Sequence, residues 1–304
     1  MALINSKLFN FKFIGVVGLL LATSIPAYAV VNVFACEPEW EALAIEIGGD
    51  HIKVKTATND KQDPHYLRAK PSLLAAMRRA DLVFCSGADL EIGWLPILLN
   101  KAGGVNVQVG KSGYLMAADY VQLLDKPVLL DRSQGDVHAM GNPHVHLNPH
   151  NLKPIAKELS KRLSVLDVQN KLYYTKRLDL FLNKLYTHIK IWEEKAVILK
   201  EQKIISHHKS WSYLIDWLDL QLLETLEDKS GVTPTLTHLN SVLNVAKKEQ
   251  PFVIIRSPYN DAQASLWLSD KSGISAKEIM FTVDGSSLFD LYDTIINELV
   301  VLVK

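Results

Sequence analysis

Two hydrophobic periodicities alternate along the first part of the chain. Short apolar runs and runs of alternating apolar and polar residues predict strands at 30–36, 51–58, the start of 81–104, and 105–110. Segments of helical spacing lie between them, with proline near their starts or glycine at their ends. Strands that alternate with helices predict parallel βαβ units.

From Asn151 to about Leu199 the pattern is helical, with one turn signal near Asp167. One apolar stripe recurs at intervals of three and four, formed by Leu178, Phe181, Leu185, Ile189, Trp192, Ala196 and Leu199. A helix from Asp167 to Leu199 is about 50 Å long, which is too long for one small lobe and predicts a bridge between two. A coiled-coil dimer seam is the alternative, although the spacing keeps no sustained heptad.

After this helix, strand and helix patterns alternate again. The predicted strands are 203–208, 221–227, 251–259 and 278–285, and the predicted helices are 238–249, 261–273 and 287–304. The sequence therefore predicts an α/β fold of two βαβ lobes with parallel sheets, joined by one long rigid helix. We expect an N-terminal lobe at 30–150, linking helices at 151–200 and a C-terminal lobe at 201–304.

The first 29 residues have the pattern of a secretory signal peptide. Lys7 and Lys12 precede an apolar run that ends in Ala27-Tyr28-Ala29, which predicts cleavage after Ala29. A membrane anchor is the alternative, but the apolar core is shorter than the roughly 20 residues that a span needs. No cysteine that could carry a lipid follows this core. We therefore expect a soluble protein in the periplasm of a Gram-negative bacterium.

Charge and cysteine content narrow the class of protein. Its 33 basic and 33 acidic residues cancel, which argues against nucleic acid or an anionic membrane surface as the main partner. Cys36 and Cys85 each end a predicted strand, so neighbouring parallel strands would bring the two thiols together for a disulfide in an oxidising compartment. Two free buried cysteines and a thiol-containing metal site are the alternatives.

The histidines are concentrated in loops just past predicted strand ends, where α/β folds place ligand-binding groups. Four of the ten fall within residues 135–150, and the other two loops carry His65 and the pair His207-His208. Imidazole is the commonest metal ligand near neutral pH, and zinc accepts three imidazoles and one oxygen in a tetrahedron. Because these loops come from both halves of the chain, the predicted metal lies in the cleft between two lobes.

The chain resembles the solute-binding proteins of zinc and manganese ABC importers, the cluster A-I or ZnuA/TroA-like family. The resemblance is carried by QDPHYLRAKPSLLAAMRRADLVFCSGADLEIGWL, GNPHVHLNP and SHHKSWSYL, and it runs from about Val31 to the end. It implies two α/β lobes joined by a long rigid helix. It also implies a protein that captures a divalent transition metal in the periplasm and passes it to a membrane permease. We expect a monomer without enzymatic activity.

The resemblance implies a set of metal ligands. His65, His144 and His208 match the family's three histidines, and His207 is expected to point the other way at the end of its strand. The family's acid near the start of the last helix falls on Ser286, so Asp284 or a water is expected to supply the fourth ligand atom. A turn-forming role for Asp284 before a glycine is the alternative.

Two further histidines depart from the family pattern or lie outside it. His146 stands where the family has an aromatic residue, and Asn142 where it has an aspartate; we expect His146 to support the site or lie on the surface. A feeder role for His138 is a hypothesis, and Glu37 is expected only to cap a helix or support the site.

Three histidines with at most one carboxylate predict zinc over manganese, because manganese prefers more oxygen ligands.

Two other functions remain open from the sequence. An exported zinc hydrolase would use a metal-bound water, but the chain has neither a His-Glu-x-x-His motif nor a recognisable Ser-His-Asp order. A metal-dependent adhesin would share the fold and differ only in its partner.

Overall fold

The first half of the protein forms a four-stranded parallel sheet, in a computed structural model that describes residues 30–127 and 135–303. The predicted signal peptide therefore lies outside the described residues. The strands are β1 (Val31–Ala35), β2 (Ile52–Thr56), β3 (Leu82–Cys85) and β4 (Tyr114–Met116), in the order β2-β1-β3-β4. The helices are α1 (Pro38–Gly48), α2 (Pro71–Arg79) and α3 (Leu95–Ala102).

The second half repeats the same plan. Its strands are β5 (Lys203–Ser206), β6 (Gln221–Thr225), β7 (Val253–Arg256) and β8 (Ala276–Glu278), in the parallel order β6-β5-β7-β8. The helices here are α6 (Ser212–Trp217), α7 (Leu236–Glu249), α8 (Gln263–Ser272) and α9 (Leu288–Val303). The predicted α/β class with two parallel sheets is confirmed.

Burial explains why central and edge strands differ in sequence. In β3 every residue is buried, because helices cover both faces of a parallel sheet. The edge strand β2 instead alternates, with Ile52 buried and Lys53 and Lys55 exposed. Charged residues on an edge strand also oppose pairing with another chain.

The predicted strand at 105–110 is wrong, because this segment begins with a 3-10 turn at Val105–Val107 and the edge strand is β4. Only Val107 is buried; Val105 and Val109 are 77% and 72% exposed. The chain instead joins the sheet just after Gly113, where a Cβ would lie 2.2 Å from the carbonyl oxygen of Asp81. Only glycine fits that approach.

The predicted strand at 278–285 is also wrong, because β8 ends at Glu278. Ile279, Phe281 and Val283 do alternate and are buried. Ile279 still donates its backbone N–H to the carbonyl of Arg256 on β7, but none of the three belongs to a strand of the sheet. Phe281 instead packs its ring against His144 and Trp211, at centroid distances of 5.2 and 5.0 Å. Alternation reports one buried side, which a segment packed beneath loops satisfies as well as a strand does.

The long helix lies where the sequence predicts it. α4 (Leu152–Leu166) is followed by its C-cap residue Asp167. α5 (Lys171–Ala196) then has 26 residues and lies between single 3-10 turns. The α-helical part is about 39 Å long, which is shorter than predicted because both ends tighten into those turns. Its apolar stripe packs against α1, α4 and α9, and is therefore buried within the chain rather than in a coiled-coil seam.

Helix α5 contacts α1 of the first half and α9 of the second, as a bridging helix should. The proposed division into 30–150, 151–200 and 201–304 stays a prediction. Within residues 30–127 and 135–303, no helix has both the length and the apolar character that crossing a membrane requires.

Cys36 and Cys85 form the predicted disulfide, with their Cα atoms 4.8 Å apart. Cys36 follows β1 and Cys85 is the last residue of β3. These neighbouring strands are paired in register from Val33 to Ala35, so both cysteines lie at the same sheet edge. The alternative of two free thiols is therefore wrong. A carboxylate oxygen of Glu91 lies within 4.8 Å of the sulfurs, but the joined cysteines offer no thiolate for a metal.

Candidate metal centre

Three loops from distant parts of the chain converge in the cleft between the two sheets. The ring centroid of His65 lies 5.8 Å from that of His144 and 6.2 Å from that of His208. A cavity of about 330 Å³ beside them is lined by His144 and His208, among others. The structure therefore brings together three of the four residues that the sequence predicts as ligands.

His65 is held by its own loop. It lies in a 3-10 turn, Pro64–Tyr66, and Asp63 accepts hydrogen bonds from its backbone N–H at 2.9 Å and from its Nδ1 at 2.6 Å. Trp94 fixes the same turn by donating its indole N–H to the carbonyl of Pro64 at 2.8 Å. With Nδ1 bound to a carboxylate, Nε2 is the nitrogen left to face the cleft.

His144 is the most buried of the three, with 2% of its surface exposed. Its Nε2 is buried and has no hydrogen-bond partner among the described residues. Asn142 holds the loop: its side-chain oxygen accepts from the backbone N–H of His144 at 3.0 Å, and its amide donates to the carbonyl of Lys209 at 2.9 Å. Asn142 thereby ties the loop of His144 to the loop of His208.

His208 follows β5, and Glu227 orients its ring. The Nδ1 of His208 lies 2.6 Å from Oε2 of Glu227, and Gly231 donates its N–H to the same oxygen at 2.8 Å. Burial alone would raise the pKa of Glu227, but hydrogen bonds from His207 and His208 lower it to about 2. Glu227 is therefore a carboxylate at neutral pH, and Nε2 of His208 faces the cleft.

His138 joins this cluster, although the sequence suggested only a feeder role for it. Its Nε2 lies 3.1 Å from Nε2 of His65, and the two ring centroids are 5.2 Å apart. Two imidazole nitrogens on one tetrahedral zinc are roughly 3.3 Å apart, from a Zn–N distance of about 2.0 Å. The His65–His138 pair thus already has the spacing of two ligands.

Asp284 lies apart from the contacts that define the cluster. It is exposed in the turn between the buried Val283 and α9, and none of the contacts described for the four histidines involves it. From the sequence, Asp284 was expected either to supply a ligand oxygen or only to form the turn before Gly285. Its exposure favours the turn-forming role, since Gly285 has a positive φ of 101°.

Burial keeps two of the histidines neutral and able to bind a metal. Burial, reinforced by the neighbouring charges of His65 and His208, lowers the pKa of His138 to about 4. The pKa of His144 also falls well below its ordinary value, first because of burial and then because of the nearby imidazoles. A neutral imidazole has the lone pair that a metal requires.

The adjacent histidines His146 and His207 do not present their rings as ligands. Nε2 of His146 donates to the carbonyl of Phe281 at 3.0 Å, and Nδ1 faces Oε1 of Glu39 at 3.0 Å without a hydrogen bond. His146 is 1% exposed, so the surface role considered for it is wrong. His207 is also buried, and its Nε2 lies 3.5 Å from Oε1 of Glu227, the oxygen that does not bind His208.

Sequence reasoning missed two orienting groups. From the sequence, Glu227 was given no role. Glu227 ends a predicted strand at the same sheet edge as the ligand loops, and this position could have indicated that it lies near the site. Asp63 was recognised only as part of the Asp-Pro-His motif, and no role was given to its carboxylate. Metal-binding histidines generally donate their second ring nitrogen to a carboxylate or carbonyl, which is the arrangement of both pairs here.

Replacing Glu227 by glutamine is expected to weaken metal binding by about 10- to 100-fold, because the ring of His208 loses the carboxylate that orients it. Affinity is measured by competition with a chromophoric chelator. Glu224→Gln, an exposed change on β6, is the control and should bind as the wild type does. Equal affinities for both variants would show that His208 is not a ligand.

Glu37 forms a buried acidic pair with Glu91, and it lines a small cavity together with His144. The backbone N–H of Ser86 donates to Glu91 at 2.8 Å and to Glu37 at 3.3 Å, and Glu37 has a second, unpartnered oxygen. Burial and then the charge of Glu91 raise the pKa of Glu37 well above its usual value; burial raises that of Glu91 to about 7. Glu37 precedes α1 without a side-chain capping hydrogen bond, and its place beside His144 fits the supporting role expected from the sequence.

Glu91→Gln is expected to change how stability depends on pH. The unfolded carboxyl titrates near 4.5 and the folded one near 7, so the folded state binds the extra proton between these values. The stability from neutral Glu91 is full below pH 4.5 and is lost as pH rises through 7. Relative to wild type, the variant should gain at least about 1 kcal/mol of unfolding free energy between pH 4.5 and 8. A pH-independent difference in urea unfolding would contradict this.

Comparisons with known proteins identify the family and support the fold. A model of the family described as "ZnuA: Zinc-uptake complex component A periplasmic" matches residues 33–294. The manganese ABC transporter substrate-binding lipoprotein PsaA of Streptococcus pneumoniae is 31% identical over 142 residues, which are 46% of this chain and 43% of that protein. The match thus spans less than half the length of this relative.

Two further comparisons cover more of the chain. The metal ABC transporter substrate-binding lipoprotein SsaB of Streptococcus sanguinis is 27% identical over 221 residues, 71% of this chain and 68% of that protein. A crystal structure of ZnuA superposes with a TM-score of 0.77 at 20% identity, covering 90% of this chain and 100% of that one. This structure supports the fold, and the names of the relatives are those of substrate-binding proteins rather than enzymes.

Proposed function

Because the chain belongs to the ZnuA family of periplasmic zinc-uptake components, we propose that it captures a divalent transition metal outside the cytoplasm and delivers it to an ABC importer permease. One observation carries the proposal: four imidazoles from three separate segments of the chain face one space in the cleft, and the Nε2 of His144 is buried there without a partner among the described residues. A buried unpaired nitrogen costs free energy that a bound metal would recover.

The proposed ligands are His65, His138, His144 and His208. His138 replaces Asp284 in this set because it contacts His65, whereas Asp284 is exposed in its turn. Only the His65–His138 pair already has the spacing of two ligands. The rings of His144 and His208 lie 5.8 and 6.2 Å from that of His65, so the loops have to close around the ion before all four nitrogens share a tetrahedral metal.

Zinc is the proposed cargo. Four nitrogen donors suit zinc, whereas manganese is held better by carboxylate, carbonyl and water oxygens. The family description names zinc, while PsaA is named for manganese. The donor set of this chain supports zinc, because Asp63 and Glu227 contact imidazole Nδ1 atoms and leave the cluster with nitrogen donors.

The proposed location is the periplasm, reached through the predicted signal peptide with cleavage after Ala29. The family description includes that compartment, and the disulfide between Cys36 and Cys85 fits an oxidising environment. The relatives PsaA and SsaB are named lipoproteins, whereas we propose that this chain is released as a soluble monomer.

The alternative of a zinc hydrolase is less favoured. A hydrolytic zinc keeps an open position for water, while four imidazoles would fill a tetrahedral shell. The relatives are named as substrate-binding proteins of transporters. An adhesin function would need a partner surface that no observation here identifies.

The test of this function is metal uptake by cells together with metal preference in vitro. A strain lacking the protein should take up less zinc at low external zinc, and restoring the wild-type chain should recover uptake. The purified protein should bind zinc at least 100-fold more tightly than manganese. Preference for manganese would contradict the proposed cargo, and unchanged zinc uptake would contradict the proposed role.

A further inference from the structure

A buried polar contact joins the two lobes directly behind the metal cluster. Glu39 lies in the first turn of α1 in the first lobe, and Thr282 lies in the segment between β8 and α9 of the second. The hydroxyl of Thr282 donates to Oε2 of Glu39 at 2.5 Å. Both residues are buried: Glu39 is 2% exposed and Thr282 is 6% exposed.

His146 completes this contact from the loop that carries His144. Its Nδ1 lies 3.0 Å from Oε1 of Glu39, and its Nε2 lies 3.0 Å from the carbonyl of Phe281. A carbonyl only accepts, so Nε2 must donate to it. Nδ1 faces the carboxylate of Glu39 at ion-pair distance without making a hydrogen bond to it.

The same group of residues touches a proposed metal ligand. The ring of Phe281, whose carbonyl binds His146, packs edge-on against the ring of His144 at a centroid distance of 5.2 Å. A 3-10 turn, Val145–Leu147, links His144 to His146 through the backbone. Tyr292 of α9 adds a hydrogen bond from its hydroxyl to the carbonyl of His146. A change in lobe spacing would therefore move both supports of His144.

We propose that Glu39, His146 and Thr282 form an interlobe latch that sets the lobe spacing and thereby positions His144 for the metal. The inference rests on the proposed function. The three latch residues are positioning residues that do not touch the metal. Apolar packing alone fixes lobe spacing loosely. The hydrogen bonds from Thr282 to Glu39 and from His146 to the carbonyl of Phe281 are buried and directional, so they need both lobes in one arrangement.

The experiment compares Glu39→Gln, His146→Phe and their double variant with wild type. Glutamine keeps the size of Glu39 without its charge, and phenylalanine fills the space of His146 without either nitrogen. Glu41→Gln is the matched control, since Glu41 is the other acid in the first turn of α1 and equally affects the helix dipole. Zinc affinity and the visible absorption spectrum of the cobalt(II)-loaded protein are measured well below the unfolding temperature.

The latch predicts that each single variant binds zinc about tenfold more weakly, in the range that supporting residues show. The cobalt spectrum should shift in both, because the ligand geometry changes. The double variant should be no weaker than the weaker single variant, because either change already breaks the latch. Glu41→Gln should match wild type in affinity and spectrum.

A purely structural role for the three residues gives a different result. The variants would then unfold at lower temperature but bind zinc with wild-type affinity and an unchanged cobalt spectrum, which would overturn the latch. Additive losses in the double variant would overturn it as well. Wild-type protein that binds neither zinc nor cobalt would overturn the proposed function, and the latch with it.

Discussion

His144→Ala is expected to weaken zinc binding by roughly 100- to 1,000-fold, the largest effect of any single substitution in the cluster. Zinc sites with four ligands bind with about 10–16 kcal/mol, so each ligand accounts for about 3–4 kcal/mol. His144 should reach this value because its ring is 2% exposed, so water replaces it poorly. The affinity is measured by chelator competition at pH 7.5, where burial leaves this imidazole neutral.

His150→Ala is the matched control for this substitution. It removes another histidine from the same stretch, but one whose side chain is 54% exposed and paired with Glu193 on α5. It should bind zinc as the wild type does. Wild-type affinity in His144→Ala would show that the buried Nε2 is satisfied in another way and that the ligand set is wrong.

His138→Ala is expected to weaken zinc binding by about 100-fold, whereas Asp284→Asn should leave it unchanged. The difference follows from position: Nε2 of His138 is 3.1 Å from Nε2 of His65, and Asp284 is exposed in its turn. Removing His138 leaves three imidazoles, and a water would take the fourth position with weaker binding. Both variants are measured by the same chelator competition.

The reverse order of these two effects would restore the ligand set that the sequence suggests. In that case Asp284→Asn would lose affinity and His138→Ala would slow metal capture without changing the equilibrium. Stopped-flow binding separates these outcomes, since a feeder residue changes the association rate while a ligand mainly changes the dissociation rate.

The fold was largely predictable because the periodicities are local. The central strands, the break near Asp167 and the buried stripe of α5 all follow from spacing that burial enforces. The two wrong strands failed for related reasons. The valines of 105–110 alternate without a shared buried face, and Phe281 alternates with its neighbours because it fills the space behind the histidines.

The site was predictable only in part. His65, His144 and His208 sit in motifs at strand ends, so their convergence followed from the α/β topology. The positions of His138 and Glu39 depend on how two lobes dock, and residues so far apart in sequence leave no periodic signal for such contacts. The departure at His146 was visible in the sequence, but its two partners were not.

The most direct test of the central claim is the metal content of the mature, untagged protein after zinc addition and dialysis, measured by mass spectrometry. The comparison is a triple variant in which His65, His144 and His208 are alanine. We expect about one zinc per wild-type chain and none in the variant, because tight binding needs at least three of the four proposed ligands. Zinc retained by the triple variant at the wild-type level would contradict a single site in the interlobe cleft.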